Sequence, residues 1–258
     1  MIRNLIQLFG LGIMRQIWQT LLLAVLVFSV QAVPAYGAGE RKISLTAIAG
    51  SDTVKLAREI LVRAYHKIGY EADVVFLPGK RARSNAINGV SSGEVARVKA
   101  YGKKSPTLVR IATELFVVRG AAFAIKDEVE LGTLDDLSKY RIGVLRGVLY
   151  SDRLTDGYNR HYAKTISQLF KMLVRDRVDL IIAIDLSGMM TINREYKDTP
   201  IRVIRDDLIV LPVFHYLHES KAELVPRIAE VILNMKKSGE LGRIRKDFVL
   251  GEVSASDD

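Results

Sequence analysis

Residues 214–248 read FHYLHESKAELVPRIAEVILNMKKSGELGRIRKDF, and this stretch is the most informative in the chain. It begins as an apolar strand and turns at a segment that contains Lys221. Apolar residues then recur at helical spacing, which predicts an amphipathic helix. Ser238 and Gly239 interrupt the pattern, since glycine is a common helix end, and a second short helix follows. The predicted order is therefore strand, helix and helix.

The opposite end of the chain has the pattern of an export signal. Residues 20–30 (TLLLAVLVFSV) form an uncharged apolar run that is preceded by Arg15, as in secretory signal peptides. Small residues predict cleavage after Gly37, so residues 1–37 are the predicted signal peptide, with Met14 as an alternative start. An uncleaved anchor is the other interpretation, but the run is short for a membrane span of about 20 residues.

Composition narrows the classes of function. The whole chain carries a formal net charge of +9, and loss of the two arginines in residues 1–37 leaves +7 on the mature protein. The chain has no cysteine, which excludes disulfides, thiol catalysis, Cys-ligated metals and a lipid-modified cysteine. The mature protein is therefore expected free in the periplasm, as a monomer. Nucleic acid is not an expected partner, because basic and aromatic residues are not interleaved.

Strand and helix patterns alternate along the mature chain, which predicts an α/β protein built from parallel βα units. Two further apolar segments, 116–125 and 208–216, are predicted as long strands, and 201–204 as a brief one. The other predicted strands are 42–48, 72–77, 94–98, 141–145, 178–184 and a short one at 108–111, and the predicted helices are 54–68, 80–87 and 166–175.

Three stretches carry a resemblance to a known family: 139–147 (KYRIGVLRG), 166–183 (ISQLFKMLVRDRVDLIIA) and the segment 214–248. In this order and spacing they resemble a divergent branch of the family 3 periplasmic solute-binding proteins, the polar amino-acid type served by ABC importers. The resemblance implies the type II periplasmic binding protein fold, with two lobes that are each a mixed sheet flanked by helices. The implied bounds are 38–121 with 214–258 for lobe one and 122–213 for lobe two, joined by two crossing segments.

The same resemblance implies a function. Two lobes would close by a hinge on a small polar solute, zwitterionic or anionic and amino-acid-like, and deliver it to an ABC permease. A sensor that presents its ligand to a membrane receptor is the first alternative. An enzyme on the same fold is the second, and it lacks support because the sequence shows no converging set of acid, base and nucleophile.

The ligand chemistry of the family is only partly matched. Thr107 and Arg110 have the spacing of the family's Thr-x-x-Arg carboxylate clamp, but the surrounding sequence differs. Asp185 lies one residue beyond the position at which the family places an ammonium-binding Asp. A shift of one residue on a strand reverses the face of the side chain, so Asp185 is a cleft candidate only if the strand ends there. A cap at the start of the loop is the alternative.

Three candidates come from the first predicted lobe. Arg81 opens a helix directly after a strand, and ligands of open α/β sheets bind beyond the carboxyl ends of strands. Its guanidinium can hold a carboxylate or phosphate bidentately, and a solvated surface arginine is the alternative. Glu94 and Arg97 lie three residues apart on the third strand, so they are expected to face opposite sides. One would line the cleft while the other pairs elsewhere.

Two more candidates, Arg146 and Tyr150, lie at a strand-to-helix turn of the second predicted lobe. Backbone N–H groups at a helix start attract anions, so either side chain is a candidate to close over the solute. Ordinary turn chemistry is the alternative. No metal or other cofactor is expected, because His215 and His218 are three apart on an extended segment and would not converge on one ion.

Overall fold

The computed structural model describes residues 41–251, and the predicted signal peptide lies outside the described residues. Strands in the described range form one mixed sheet. They are β1 (Arg41–Ile48), β2 (Tyr70–Leu77), β3 (Gly93–Val98), β4 (Leu108–Arg110), β5 (Phe116–Ala124), β6 (Ile142–Leu145), β7 (Arg160–Ala163), β8 (Leu180–Ile184) and β9 (Arg202–His218).

Helices connect most of these strands. The α-helices are α1 (Asp52–His66), α2 (Gly79–Ile87), α3 (Leu149–Leu154), α4 (Ile166–Val174), α5 (Asp185–Glu195), α6 (Val225–Lys237) and α7 (Glu240–Leu250). Short 3₁₀ helices occupy Lys99–Lys104, Leu134–Lys139 and Glu219–Leu224. Within residues 41–251, no helix has both the length and the apolar character that crossing a membrane requires.

The order of the strands confirms the predicted parallel βα units. The sheet runs β2-β1-β3-β9-β5-β8-β6-β7, and β4 also pairs with β9. The pairs β1/β2, β1/β3, β6/β7 and β6/β8 are parallel. Each of these strands is followed by a helical segment at its carboxyl end, so the connecting turns gather at the strand ends.

The last strand differs from its prediction. The segments 201–204 and 208–216 were expected as separate strands, and the structure joins them in the 17-residue β9. It runs antiparallel along β5, from the pair Phe116 and Val213 to the pair Ala124 and Arg202, with two irregularities in register on the way. The apolar pattern is interrupted between the two predicted segments, but backbone pairing with β5 keeps the strand continuous across the interruption. The short strand β7 was not predicted.

Hydrophobic cores cover both ends of the sheet. Around β1 and β3, the core includes Leu56, Ile60 and Leu61 of α1, together with buried residues of α6 and α7. Around β5 and β8, one core contains Phe123 and Phe170, and a second covers the opposite face of the same strands. Leu186, Met190 and Ile184 from the α5 region pack on the first core. Helix α5 therefore contacts both ends of the sheet.

Helix α7 ends the described chain as the opening segment predicted. Gly239 has a φ of 74°, a conformation that glycine adopts at no steric cost, and it separates α6 from α7. Ile228, Ile232 and Met235 of α6 are buried, as the amphipathic pattern requires. The two helices thus place α7 against α1 and α5.

Candidate functional site

Polar side chains gather at the carboxyl ends of two groups of parallel strands. Ser187, in the first turn of α5 directly after β8, donates a hydrogen bond from Oγ to Oδ2 of Asp52, at the start of α1 after β1, at 3.1 Å. This contact shows that the turns of the two strand groups lie side by side. We call this region the strand-end edge, and it consists of residues 49–52, 78–83, 94–104, 146–150 and 185–187.

Glu94 and Arg97 form a buried ion pair at this edge. Arg97 donates from Nε to Oε1 of Glu94 at 2.6 Å, and the Glu94 side chain is 1% exposed. The expectation that these residues face opposite sides was wrong. The pairing of β3 with β9 shifts register between Glu94 and Arg97, and such a bulge turns the second side chain back to the side of the first.

Tyr101 completes this pair. Its hydroxyl donates to Oε2 of Glu94, and the Arg97 guanidinium lies 4.7 Å from the centre of its ring. Burial, followed by the hydrogen bond to Glu94, raises the pKa of Tyr101 to about 12, so the phenol remains a neutral donor. Sequence reasoning missed Tyr101, although its position in a turn directly after β3 was a usable signal.

A fully buried histidine, His215, contacts the backbone of Glu94 in this group of side chains. His215 Nδ1 lies 2.9 Å from the backbone oxygen of Glu94, and its Nε2 lies 2.8 Å from the hydroxyl of Tyr65. A carbonyl can only accept, so Nδ1 carries the proton and Nε2 accepts from Tyr65. Burial lowers the pKa of His215 to about 4, and the imidazole is neutral at physiological pH.

The two histidines of β9 do not converge. His218 Nδ1 lies 2.9 Å from Oγ of Ser220, on a different side of the strand end from the buried His215. Between residues 41 and 251, no three acidic or histidine side chains are grouped closely enough to hold a metal ion.

Arg81 lies at the strand-end edge as expected. It occupies the first turn of α2 and is exposed. In the described part of the chain no acidic side chain lies within ion-pair distance of it. The carbonyl of Gly79, two residues earlier, lies 3.5 Å from a guanidinium nitrogen of Arg97. The start of α2 therefore lies next to the Glu94–Arg97 pair.

Asp185 also lies at the edge, because β8 ends at Ile184 and α5 begins at Asp185. Its Oδ2 accepts from Arg245 of α7 at 2.7 Å, and its Oδ1 accepts from the backbone N–H of Leu186 at 2.7 Å. The side chain is only 13% exposed. Its charge is therefore compensated within the protein.

Tyr150 lies near Asp185 in the half-buried first turn of α3. Burial raises its pKa, and the negative charge of Asp185 raises it further. The ring packs against the backbone of Gly120, where a Cβ atom would come within 3.1 Å of it. Tyr150 is thus a neutral hydroxyl at the point where α3 meets the long strand β5.

Arg146 follows β6 at the same edge but turns toward the outer strand. Its guanidinium lies 5.5 Å from the centre of the Tyr162 ring on β7, and that of Arg160 lies 5.6 Å from the same ring. Arg146 is exposed and, within the described range, forms no ion pair. The Arg146 side chain therefore points toward Tyr162 on β7 rather than toward the Glu94–Arg97 pair.

Thr107 and Arg110 are both used within the fold. Thr107 donates from Oγ1 to the carbonyl of Ile87 at 2.8 Å, and the Arg110 guanidinium lies 4.4 Å from the centre of the Phe214 ring. Their spacing matches a carboxylate clamp, but their contacts are with the protein itself.

No family model matches the chain. An uncharacterized protein of Shewanella oneidensis is 24% identical over 199 residues, which is 74% of this chain and 75% of that protein. The unliganded, open L-cystine solute receptor of Neisseria gonorrhoeae superposes with a TM-score of 0.68 at 10% identity, over 83% of this chain and 94% of the receptor. A histidine kinase sensor domain similar to periplasmic binding proteins gives a TM-score of 0.56 at 16% identity, over 81% of this chain and 96% of the domain.

These likenesses cover nearly the whole of the described chain. They show that the protein has the mixed α/β fold of type II periplasmic binding proteins, and they confirm the resemblance to family 3 at the level of the fold. The low identities agree with a divergent branch.

Proposed function

We propose that this protein binds a small polar solute, zwitterionic or anionic, between two lobes that close on it. The lobes would be residues 38–121 with 214–258 and residues 122–213, and β5 and β9 would be the crossing segments. The observation that carries the proposal is the strand-end edge, where turns from both strand groups meet at the Asp52–Ser187 contact. In open α/β sheets, ligands bind at such ends.

The six predicted residues would have different roles in solute binding. Arg81 would contact the solute, since its guanidinium is exposed and without an acidic partner in the described chain. Glu94 would hold Arg97 in place, and the neutral hydroxyl of Tyr150 would supply a hydrogen bond from the other lobe. Arg146 would swing from Tyr162 toward the solute on closure, and Asp185 would orient the start of α5 through Arg245.

The protein would act in the periplasm after removal of residues 1–37, and a closed, solute-bound form would be recognised by an ABC permease. Ligand binding would select this form because the solute contacts both lobes only when they are closed. The fold of an L-cystine solute receptor supports this role. The matching histidine kinase sensor domain supports the alternative, in which the closed form signals to a membrane receptor.

A binding role is preferred to catalysis. The buried acidic groups at the edge, Glu94 and Asp185, are compensated by neighbouring cations, and the buried imidazole of His215 lies behind the backbone of Glu94, out of reach of a solute. An acid–base mechanism requires a group that can reach the reacting proton.

A thermal-shift screen tests the proposal. The purified protein would be heated with amino acids, small carboxylates, phosphates, sugars and polyamines, because any ligand of the folded state raises the melting temperature. We expect one chemical class to give a shift that grows with concentration, with a smaller radius of gyration by X-ray scattering. Absence of any shift at millimolar concentrations would contradict solute binding.

A further inference from the structure

The balance of acidic and basic side chains at the strand-end edge bears on the charge of the solute. We infer that the site binds a small anion, with a carboxylate or a phosphate group, that carries no ammonium group. The inference rests on the proposed function, and it narrows the solute from amino-acid-like molecules to anions without a positive charge.

The two buried acids of the edge, Glu94 and Asp185, each already have a cationic partner within the protein. Glu94 accepts from Arg97 at one carboxylate oxygen and from Tyr101 at the other. Asp185 accepts from Arg245 at one oxygen and from the backbone of Leu186 at the other. An ammonium needs an acidic partner when it leaves water, and these two carboxylates are already compensated.

Two further acids follow the parallel strands. Asp152 lies outside the strand-end edge and lines a surface groove with Arg160 and Tyr162. Its Oδ1 has no hydrogen-bond partner among the described residues, but this oxygen is buried. Asp52 lies in the first turn of α1, where the helix dipole favours its negative charge, and Ser187 donates to one of its oxygens. Within the residues that define the strand-end edge, Asp52 is therefore the one acid with an oxygen that has no donor in the described part of the chain.

Cations outnumber this single carboxylate. Several basic side chains in the turns after β2, β3 and β6 form no ion pair within residues 41–251: Lys80, Arg81, Arg83, Lys99, Lys103, Lys104 and Arg146. Like charges repel an entering ammonium, and clustered cations raise the local concentration of anions. Arginine also matches the planar or tetrahedral arrangement of carboxylate and phosphate oxygens. The edge therefore favours anions and disfavours zwitterions.

Matched ligand pairs test this by calorimetry on protein expressed from the full chain. Glutarate and glutamate differ by one ammonium group, as do ethyl phosphate and phosphoethanolamine, and the two pairs separate carboxylate from phosphate recognition. We expect the member without the ammonium to bind at least tenfold more tightly in whichever pair binds. Equal or tighter binding of glutamate or phosphoethanolamine would overturn the inference.

Two variants identify the groups responsible. Arg81→Gln should weaken binding of the preferred anion about tenfold, as expected for loss of a charged hydrogen bond. Arg227→Gln, on the distant helix α6, is the matched control and should leave it unchanged. Asp52→Asn should leave anion affinity equal or higher. Glutamate binding that is lost in Asp52→Asn would identify Asp52 as an ammonium partner and contradict the inference.

The outcome also separates the inference from the proposed function. Binding of arginine or another amino acid in preference to the simple anions would keep solute binding and remove the restriction to anions. Failure of every anion and amino acid to bind would remove both.

Discussion

Arg97 donates to Glu94 at 2.6 Å although both residues lie on one strand, three positions apart. A regular strand would point them to opposite faces. The register shift against β9 brings them together, and Tyr101 then closes the remaining side of the carboxylate. The pair is therefore a product of the irregularity in β3 rather than of the spacing itself.

Removal of Arg97 alone should be costly. Arg97→Leu leaves the Glu94 carboxylate buried without its cation, and we expect a loss of about 3 to 5 kcal/mol in the free energy of unfolding. Glu94→Gln with Arg97→Leu should recover part of this loss, because no buried charge remains. Urea denaturation of the single and double variants measures the coupling, and additive losses would contradict a compensated pair.

Stability should fall as the pH falls from about 6.5 to about 4. The folded-state pKa of His215, about 4, lies below its unfolded value of 6.5. The unfolded chain therefore binds more protons between these values, and stability rises with pH across this window. The contribution is about 3 kcal/mol in total and is fully present above pH 6.5.

The variant His215→Gln isolates this effect, since glutamine can still donate to Glu94 and accept from Tyr65. The difference in unfolding free energy between the two proteins, measured by urea denaturation from pH 4 to pH 7.5, should shrink as the pH falls. All other titratable groups are present in both proteins, so their contributions cancel in this difference. A difference that is independent of pH would contradict a buried, neutral imidazole.

Gly188 should not tolerate a side chain. A Cβ atom on this residue of α5 would overlap the ring of Phe123, which is fully buried. We expect Gly188→Ala to lower stability by about 1 to 3 kcal/mol, as overpacking does. Gly242→Ala in α7 is the control, because nothing lies within 4 Å of that position, and alanine should raise stability by about 0.5 to 1 kcal/mol. A similar gain at both sites, read from thermal denaturation, would contradict the packing.

The Asp185–Arg245 pair should couple more strongly than an exposed pair. Its side chains are 13% and 31% exposed, whereas those of Asp176 and Lys126 are 60% and 42% exposed. A double-mutant cycle with Asp185→Asn and Arg245→Gln should give a coupling energy of about 1 kcal/mol or more. The cycle for Lys126 and Asp176 should give less than about 0.5 kcal/mol. Equal values in the two cycles would show that burial adds nothing to the first pair.

Local patterns of apolar and polar residues predicted most of the strands and helices. Alternation of apolar and polar residues located β1, helical spacing located α1, α4 and α6, and the apolar run of β8 was confirmed as a buried strand. Gly239 was also confirmed as the break between the two final helices. These features depend on residues within one turn or one strand, so the sequence displays them directly. The role of the six candidate residues in solute binding remains a prediction.

The side-chain partners that lie far apart in the sequence could not be predicted from it. Asp185 meets Arg245 from 60 positions away, and Tyr65 meets His215 from 150 positions away. The joined strand β9 and the bulge at Glu94 likewise depend on pairing with another strand. The sequence by itself determined the α/β class and the segments that end at the strand-end edge. Tertiary structure alone decided which charges there are compensated, because compensation depends on distance in space and on burial, and neither follows from position along the chain.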